Sequence, residues 1–271
     1  MLVHSRSGRL AVQAAFAAAF LPVFALPFLV ILAASFATGW SGALPSGATL
    51  EHYREIARGD ALDALVTSLL TALAAGVLAL VTGTWAALAA HALRGRTRRS
   101  GLLARALDVL FMLPVAVPSV VVGLALLVAF SKPPLLLNGT PTIVILAHTI
   151  LVTAFAYQSV TAAAAHLDPA YAQAAASLGA SPARVLWRVR LPLLLPSLTA
   201  AAGLCFALSM GELSATMMLY PPDWLPLPIK VFAATDRGAL FSGAALAVVL
   251  TATTLLVLTC VSRIRTRAAY R

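Results

Sequence analysis

Six long apolar runs dominate the sequence and constrain what it can fold into. A helix needs about 20 apolar residues to cross the hydrocarbon core of a bilayer, and each run reaches that length. Glu212 is the one Asp, Glu, Lys or Arg within them. The pattern predicts an all-α integral membrane protein with six transmembrane helices. The predicted spans lie near Val12–Ala37, Ala64–Ala90, Val109–Ser131, Thr142–Ala165, Pro192–Leu219 and Leu240–Val261.

The composition excludes a soluble globular domain. Hydrophobic residues make up 61% of the chain and charged residues only 10%, whereas a soluble domain carries about a quarter charged residues. The first apolar run is too long for a signal peptide that is removed, because the stretch from Leu10 to Leu50 holds no charged residue. That stretch exceeds the roughly 7–15 apolar residues of a cleaved signal peptide, so we expect an uncleaved first span.

The basic residues predict the orientation of the chain. Fourteen of the nineteen Arg and Lys residues lie in the two tails and in the loops after the second and fourth spans. Cytoplasmic segments of membrane proteins carry such an excess, so both termini are expected in the cytoplasm. The net charge of +10 then reflects the flanks of membrane spans, and we expect the lipid bilayer, and no nucleic acid, as a partner.

Hydropathy divides the chain into three parts. Residues 1–63 contain the N-terminal tail, the first span and an outer amphipathic segment, which is predicted to form a short surface helix over Leu50–Asp63. Residues 64–262 form the transmembrane core, and residues 263–271 form a basic cytoplasmic tail. Asp108 is expected at the inner start of the third span, where the helix dipole favours an acid.

The cytoplasmic loop at about 166–196 has signals of its own. Asp168-Pro169 is typical of a helix start, because the carboxylate can cap free N–H groups and proline fits the first turn. Apolar residues from Tyr171 to Leu178 recur at helical spacing. Gly179 can adopt the left-handed conformation that ends a helix. These signals predict one short helix.

A second short helix follows in the same loop. Ser181-Pro182 repeats the start signal, and Arg184 and Arg188 lie four residues apart on one face. Leu191-Pro192 then leads back into the fifth apolar run. The loop is therefore expected to form a helix–turn–helix bracket at the membrane surface.

The stretch Gln173–Ala180, followed by Leu191-Pro192, resembles the EAA loop of ABC importer permeases. Glutamine stands at position 173 where that family usually has glutamate, so a salt bridge to a partner is not expected there. Leu113–Pro118, with Gly123 beyond, resembles the third-span entry of the same family. The residues that the resemblance assigns to the ATPase-coupling loop are Gln173, Ala174, Ala175, Leu178, Gly179, Ser181, Pro182, Arg184, Arg188, Leu191 and Pro192.

The resemblance implies a type I importer permease in the bacterial inner membrane. Its implied partners are two ATP-binding cassette subunits, a second permease subunit (the same chain or a related one) and a periplasmic solute-binding protein. The chain has no Gly-Lys pair and therefore no phosphate-binding P-loop, so hydrolysis is assigned to the partner. We expect no catalytic residue, metal or cofactor in this chain, and its five histidines are scattered among different segments.

The region Gly211–Phe232 is similar to the permease branch that serves 2-aminoethylphosphonate, ferric iron and thiamine. The best match is 2-aminoethylphosphonate, with ferric iron, thiamine or a polyamine as alternatives. Lys230 and Arg237 are candidate outer contacts for the solute or its binding protein, since cationic donors suit an anion.

Glu212 is the candidate residue of the translocation path or gate, together with Ser209 and Thr216. A carboxylate inside a membrane span is costly, which favours a functional role. Two alternatives stay open at this stage: Glu212 lines the path or holds the gate, or it lies near the outer interface and simply caps a helix or pairs with Arg237. The competing class is a secondary transporter driven by an ion gradient, which usually has several intramembrane ionisable residues.

Overall fold

The computed structural model describes residues 6–42, 44–94 and 97–269, so the ends of both predicted tails lie outside the described residues. Two short strands and twelve helices make up the described chain, and a π turn over Leu186–Arg190 joins α8 to α9. The elements are α1 (Arg6–Ala34), β1 (Ala37–Ser41), β2 (Leu44–Ala48), α2 (Glu51–Arg58), α3 (Ala61–Leu93), α4 (Arg98–Ala116), α5 (Ser119–Ala129), α6 (Pro141–Ala165), α7 (Pro169–Ser177), α8 (Pro182–Val185), α9 (Leu191–Met210), α10 (Ser214–Leu219), α11 (Leu227–Asp236) and α12 (Leu240–Ala269).

Five helical segments in the described ranges are long and apolar enough to cross a membrane, and the pair α4–α5 supplies a sixth if it counts as one span. The all-α membrane fold predicted from hydropathy is therefore confirmed. The five segments are Ser7–Ala34, Ala61–Leu93, Pro141–Ala165, Pro182–Met210 and Leu240–Arg263.

The third predicted span is not one straight helix. Its residues are divided between α4 and α5, which meet at an angle of 106°. Val117 adopts an extended conformation (φ −102°, ψ 129°) immediately before Pro118. A proline disfavours the helical conformation of the residue before it, so the dipeptide ends α4 and redirects the chain.

The fifth predicted span is also interrupted. The helix that starts at Pro182 runs through the π turn and α9 to Met210, and a short break at residues 211–213 separates it from α10. Pro192 lies just after the π turn, in the first turn of α9. A proline has no N–H to bond the preceding turn, and a π turn, a local widening of the helix, is one way to accommodate that loss.

The chain divides into two compact units. The first comprises residues 1–62 and 230–251. In it, β1 and β2 form an antiparallel hairpin with Ala37 opposite Ala48, which hydropathy did not predict. The predicted surface helix is present as α2, and Tyr53 of this helix donates a 2.7 Å hydrogen bond to Ser35 Oγ. Arg54 pairs with Glu51 on the exposed face of the same helix.

The second unit comprises residues 63–229 and 252–271, and its core surrounds α6. Small residues let other helices approach α6 closely, as is common in membrane proteins. A Cβ at Gly83 of α3 would lie 2.8 Å from the backbone nitrogen of Tyr157. Ala79 of α3 and Cys205 of α9 are fully buried against Val152 and Ala156 of α6.

Candidate functional site

The helix–turn–helix bracket over residues 166–196 has the local structure that the sequence predicts. The Asp168 carboxylate accepts a 2.8 Å hydrogen bond from the Ala170 N–H at the start of α7. Gly179 has φ of +80°, in the left-handed region, and the Ala180 N–H donates to the Ala175 carbonyl at 3.0 Å. Ser181 caps α8 by accepting a 3.3 Å hydrogen bond from the Arg184 N–H. The turn is therefore held by backbone and capping bonds of its own.

The bracket exposes apolar surface. Leu178 is 87% exposed, Tyr171 58% and Trp187 61%. Gln173 and Ala174 are exposed, and Ala175 is half-buried. Exposed apolar surface of this kind is typical of a site that contacts another protein or the membrane. The other predicted loop residues that are exposed are Gly179, Ser181, Pro182, Arg184, Arg188 and Pro192, while Leu191 is half-buried.

The bracket is also anchored to the transmembrane core. Val185 is buried, and Leu186, Leu191 and Leu167 pack against the core cluster that contains Tyr157 and Leu194. The structure joins α8, the π turn and α9 in one continuous helical rod that runs from the bracket to Met210.

Asp108 is not at a helix start, and that expectation is wrong. It lies in the interior of α4, which already begins at Arg98. Its carboxylate accepts a 2.7 Å hydrogen bond from the Arg94 guanidinium and a 2.5 Å hydrogen bond from the Tyr157 hydroxyl. The loop before α4 is polar, and Thr97 and Ser100 form a capping box that starts the helix there.

The structure reveals a buried polar cluster that the sequence analysis missed. His148 of α6 is 2% exposed. Its Nδ1 lies 2.7 Å from Ser209 Oγ of α9, and its Nε2 lies 2.8 Å from Thr216 Oγ1 of α10. One side chain thus bonds the helices on both sides of the break at 211–213. The available signal was a histidine in the middle of an apolar run.

Glu212 lies in that break, between the two residues predicted to accompany it. Its Oε1 accepts a 2.8 Å hydrogen bond from the Ala215 N–H, so the carboxylate caps the start of α10. Glu212 and Ser209 also line a cavity of about 210 Å³ with His148 and the bend residues Val117 and Ser119. The structure therefore brings Glu212, Ser209 and Thr216 together in one place.

Lys230 and Arg237, the predicted outer contacts, both have contacts within their own unit. Lys230 is largely buried and forms an ion pair with the exposed carboxylate of Asp60. The Lys230 ammonium donates a hydrogen bond to this carboxylate, and the bond together with the lysine charge lowers the pKa of Asp60 below its usual range. Arg237 follows the last residue of α11, and its guanidinium donates a 2.8 Å hydrogen bond to the Ala233 carbonyl of that helix.

Comparison with known proteins identifies the family. Residues 79–269 match the family of binding-protein-dependent transport system inner membrane components. This chain belongs to that family. It is therefore a multi-pass permease subunit of an ABC importer in the bacterial inner membrane, and it is a transport subunit and not an enzyme.

Individual relatives agree with this assignment over most of the chain. It is 45% identical to PhnV of Salmonella typhimurium, named for 2-aminoethylphosphonate transport, over 98% of both chains. It is 36% identical to the molybdenum transport permease ModB of Mycobacterium tuberculosis over 70% of this chain and 75% of that one. Its fold matches a bacterial alginate ABC transporter with a TM-score of 0.69, at 15% identity, over 97% and 96% of the two chains.

Proposed function

We propose that this permease carries 2-aminoethylphosphonate into the cell. The observation that carries the proposal is the 45% identity to a permease named for that solute, which extends over 98% of both chains. The residues of Gly211–Phe232 support the same branch. A periplasmic binding protein would deliver the solute, and ATP hydrolysis in a partner subunit would drive its passage.

The exposed face of the bracket is the proposed docking site for the ATP-binding subunits. A transporter with two permease subunits, identical or related, would present two such brackets to two ATP-binding subunits from the cytoplasm. Leu178 and Tyr171 would supply the apolar contact, and the continuous rod from Pro182 to Met210 would transmit the movement. The proposed translocation path passes the cluster of Glu212, Ser209 and Thr216.

Reconstitution tests the solute. The permease, its ATP-binding subunit and its binding protein are placed in proteoliposomes with ATP inside, and uptake of labelled 2-aminoethylphosphonate is measured. We expect uptake that needs ATP and that excess unlabelled thiamine, putrescine or ferric iron does not reduce. Inhibition by one of these competitors would identify that compound as a solute of the transporter and contradict the proposed one. Uptake driven by an ion gradient without ATP would contradict the importer mechanism.

A glycine substitution tests the coupling bracket. Gly179→Ala forces a side chain into the left-handed region, which costs about 1–2 kcal/mol and shifts the end of α7. We expect weaker co-purification of the ATP-binding subunit and solute uptake reduced several-fold. Gly238→Ala is the matched control, because Gly238 has φ of +78° and, like Gly179, has open space around it.

The paired design separates docking from general strain. Equal losses in both variants would show that the effect comes from backbone strain alone, and full coupling in Gly179→Ala would contradict the proposed docking site. Gly179→Asn should recover part of the activity, since asparagine tolerates the left-handed conformation better than alanine.

A further inference from the structure

The cavity at the α4–α5 bend is large enough for a small solute. Its volume is about 210 Å³, whereas one water occupies about 30 Å³ in the liquid. Its walls come from the bend itself, from α6 and from the end of α9, and include Pro114, Leu151 and Phe155. The apolar walls are interrupted by Glu212, Ser209, His148 and Ser119.

Glu212 provides the charge in this cavity. One carboxylate oxygen is held by the Ala215 N–H. The other oxygen accepts no hydrogen bond from any residue that the structure describes, and no Lys or Arg is among the residues that line the cavity. A carboxylate in an apolar setting is stabilised by a cation that also donates hydrogen bonds, and a primary ammonium does both.

The hydrogen bonds around Glu212 fix its position. Thr216, four residues on, donates a 3.2 Å hydrogen bond to the Glu212 carbonyl and is itself bound to His148. The carboxylate is therefore held by the Ala215 N–H of α10, and the backbone of Glu212 is linked to α6 indirectly, through Thr216. A pre-organised acceptor binds a cationic group with little loss of side-chain entropy.

The same cavity offers donors for a negative group. Ser119 is the first residue of α5, and Pro118 before it makes no side-chain cap. In the described chain the N–H groups of Ser119 and Val120 have no acceptor, and of these two residues Ser119 lines the cavity. Donors of this kind at a helix start suit an oxyanion. They would complement the carboxylate at the other end of a bound zwitterion.

We propose that this cavity is a solute-binding subsite in which Glu212 binds the ammonium group of a zwitterionic amino-phosphonate. This inference rests on the proposed function and adds the specificity-determining residue. The phosphonate end would lie toward Ser119 at the start of α5. Selection in the membrane would then depend on the amine, in addition to any selection by the binding protein.

A binding experiment without the binding protein tests the subsite. Purified permease assembled with its ATP-binding subunit is titrated with 2-aminoethylphosphonate and with ethylphosphonate, which lacks the amine. We expect the wild-type assembly to bind the amino-phosphonate at least tenfold more tightly. In Glu212→Gln the amide oxygen can still cap Ala215 while the charge is gone, so the tenfold preference should be lost.

Glu55→Gln is the matched control, because Glu55 is exposed on α2 and lies outside the cavity. It should keep the wild-type preference. A tenfold preference that survives in Glu212→Gln would overturn the subsite, and so would a wild-type assembly that binds both solutes equally. The comparison of the two solutes on the wild-type assembly tests the subsite even if the Glu212→Gln variant fails to fold.

The outcomes also separate the subsite from the proposed solute. ATP-driven uptake of 2-aminoethylphosphonate without any preference at the membrane assembly would refute the subsite and leave the proposed function in place. Absence of uptake by the complete wild-type transporter would refute both.

Discussion

The hydrogen bonds around His148 favour one tautomer of its imidazole. The Thr216 hydroxyl donates to the Glu212 carbonyl, so the same oxygen is left to accept from Nε2–H of His148. In a neutral imidazole Nδ1 then accepts the hydroxyl hydrogen of Ser209. Both ring nitrogens have a hydrogen-bond partner in this arrangement, as a buried polar side chain requires. His148 therefore links α9 to α10 across the break between them.

Removal of the imidazole should destabilise the permease. His148→Leu leaves the Ser209 hydroxyl without its partner, and an unsatisfied buried polar group costs about 1–3 kcal/mol. We expect a lower melting temperature for the detergent-purified protein. Thr149→Val is the control, since among the described residues the Thr149 hydroxyl bonds just the Ile145 carbonyl of its own helix.

The triple variant His148→Leu, Ser209→Ala, Thr216→Val should recover part of the loss, because it removes all three polar side chains together. A His148→Leu protein as stable as the wild type would show that the cluster does not hold the break.

The ion pair between Lys230 and Asp60 should give a small pH-dependent contribution to stability. The pKa of Asp60 is lowered in the folded protein, so the pair stabilises the fold above pH of about 4 and its contribution is lost as the carboxylate is protonated below that. Because Asp60 is exposed, the contribution is at most about 1 kcal/mol. Lys230→Met should lower the melting temperature slightly at pH 7, with a difference that shrinks toward pH 3. A difference independent of pH would rule out the pair as its cause.

At the scale of elements, two breaks shape the transmembrane core. The bend at Val117-Pro118 starts α5, and the break at 211–213 starts α10. These two short helices pack tightly at Gly123 of α5 and Ala215. If Gly123 carried a Cβ, that atom would lie 2.9 Å from both the Cα and the carbonyl oxygen of Ala215. The cavity and the capped Glu212 lie where the broken spans meet.

Gly123→Ala should therefore push α5 away from α10. Overpacking of this kind costs about 1–3 kcal/mol, and the contact here is with backbone that cannot rotate aside. We expect a lower melting temperature and reduced solute uptake. In the control Gly76→Ala, the nearest atom is Phe206 N at 3.9 Å, so stability should be unchanged or slightly higher. Equal stability of the two variants would argue against the tight α5–α10 contact.

The sequence predicts the elements whose signals are local. The caps at Asp168 and Ser181 and the left-handed turn at Gly179 depend on neighbouring residues, and the bracket was predicted in detail. Hydropathy also located the apolar runs. It cannot show that α4 and α5 diverge by 106°, because a proline in a membrane helix can equally produce a mild kink. The partners of His148 lie 61 and 68 residues away in the chain, so no local pattern could reveal them.

In the whole molecule, one helical rod joins the bracket to the proposed solute subsite. The helix from Pro182 to Met210 has the exposed bracket at one end and the break with Glu212 at the other. In the proposed mechanism, a force applied at Leu178 would pass through the turn at Gly179 and then along this helix to the proposed solute subsite. This mechanism requires that the bracket face the cytoplasm and contact the ATP-binding subunit.

Site-directed labelling tests that requirement most directly. In a chain with Cys260→Ser, Leu178→Cys and Leu136→Cys place an exposed thiol in the loops that follow and precede α6, while the native Cys205 stays buried. In spheroplasts we expect a membrane-impermeant maleimide to label Leu136→Cys and not Leu178→Cys. In the assembled transporter, a photoreactive maleimide at Leu178→Cys should cross-link to the ATP-binding subunit. External labelling of Leu178→Cys, or a cross-link that never includes that subunit, would contradict the account.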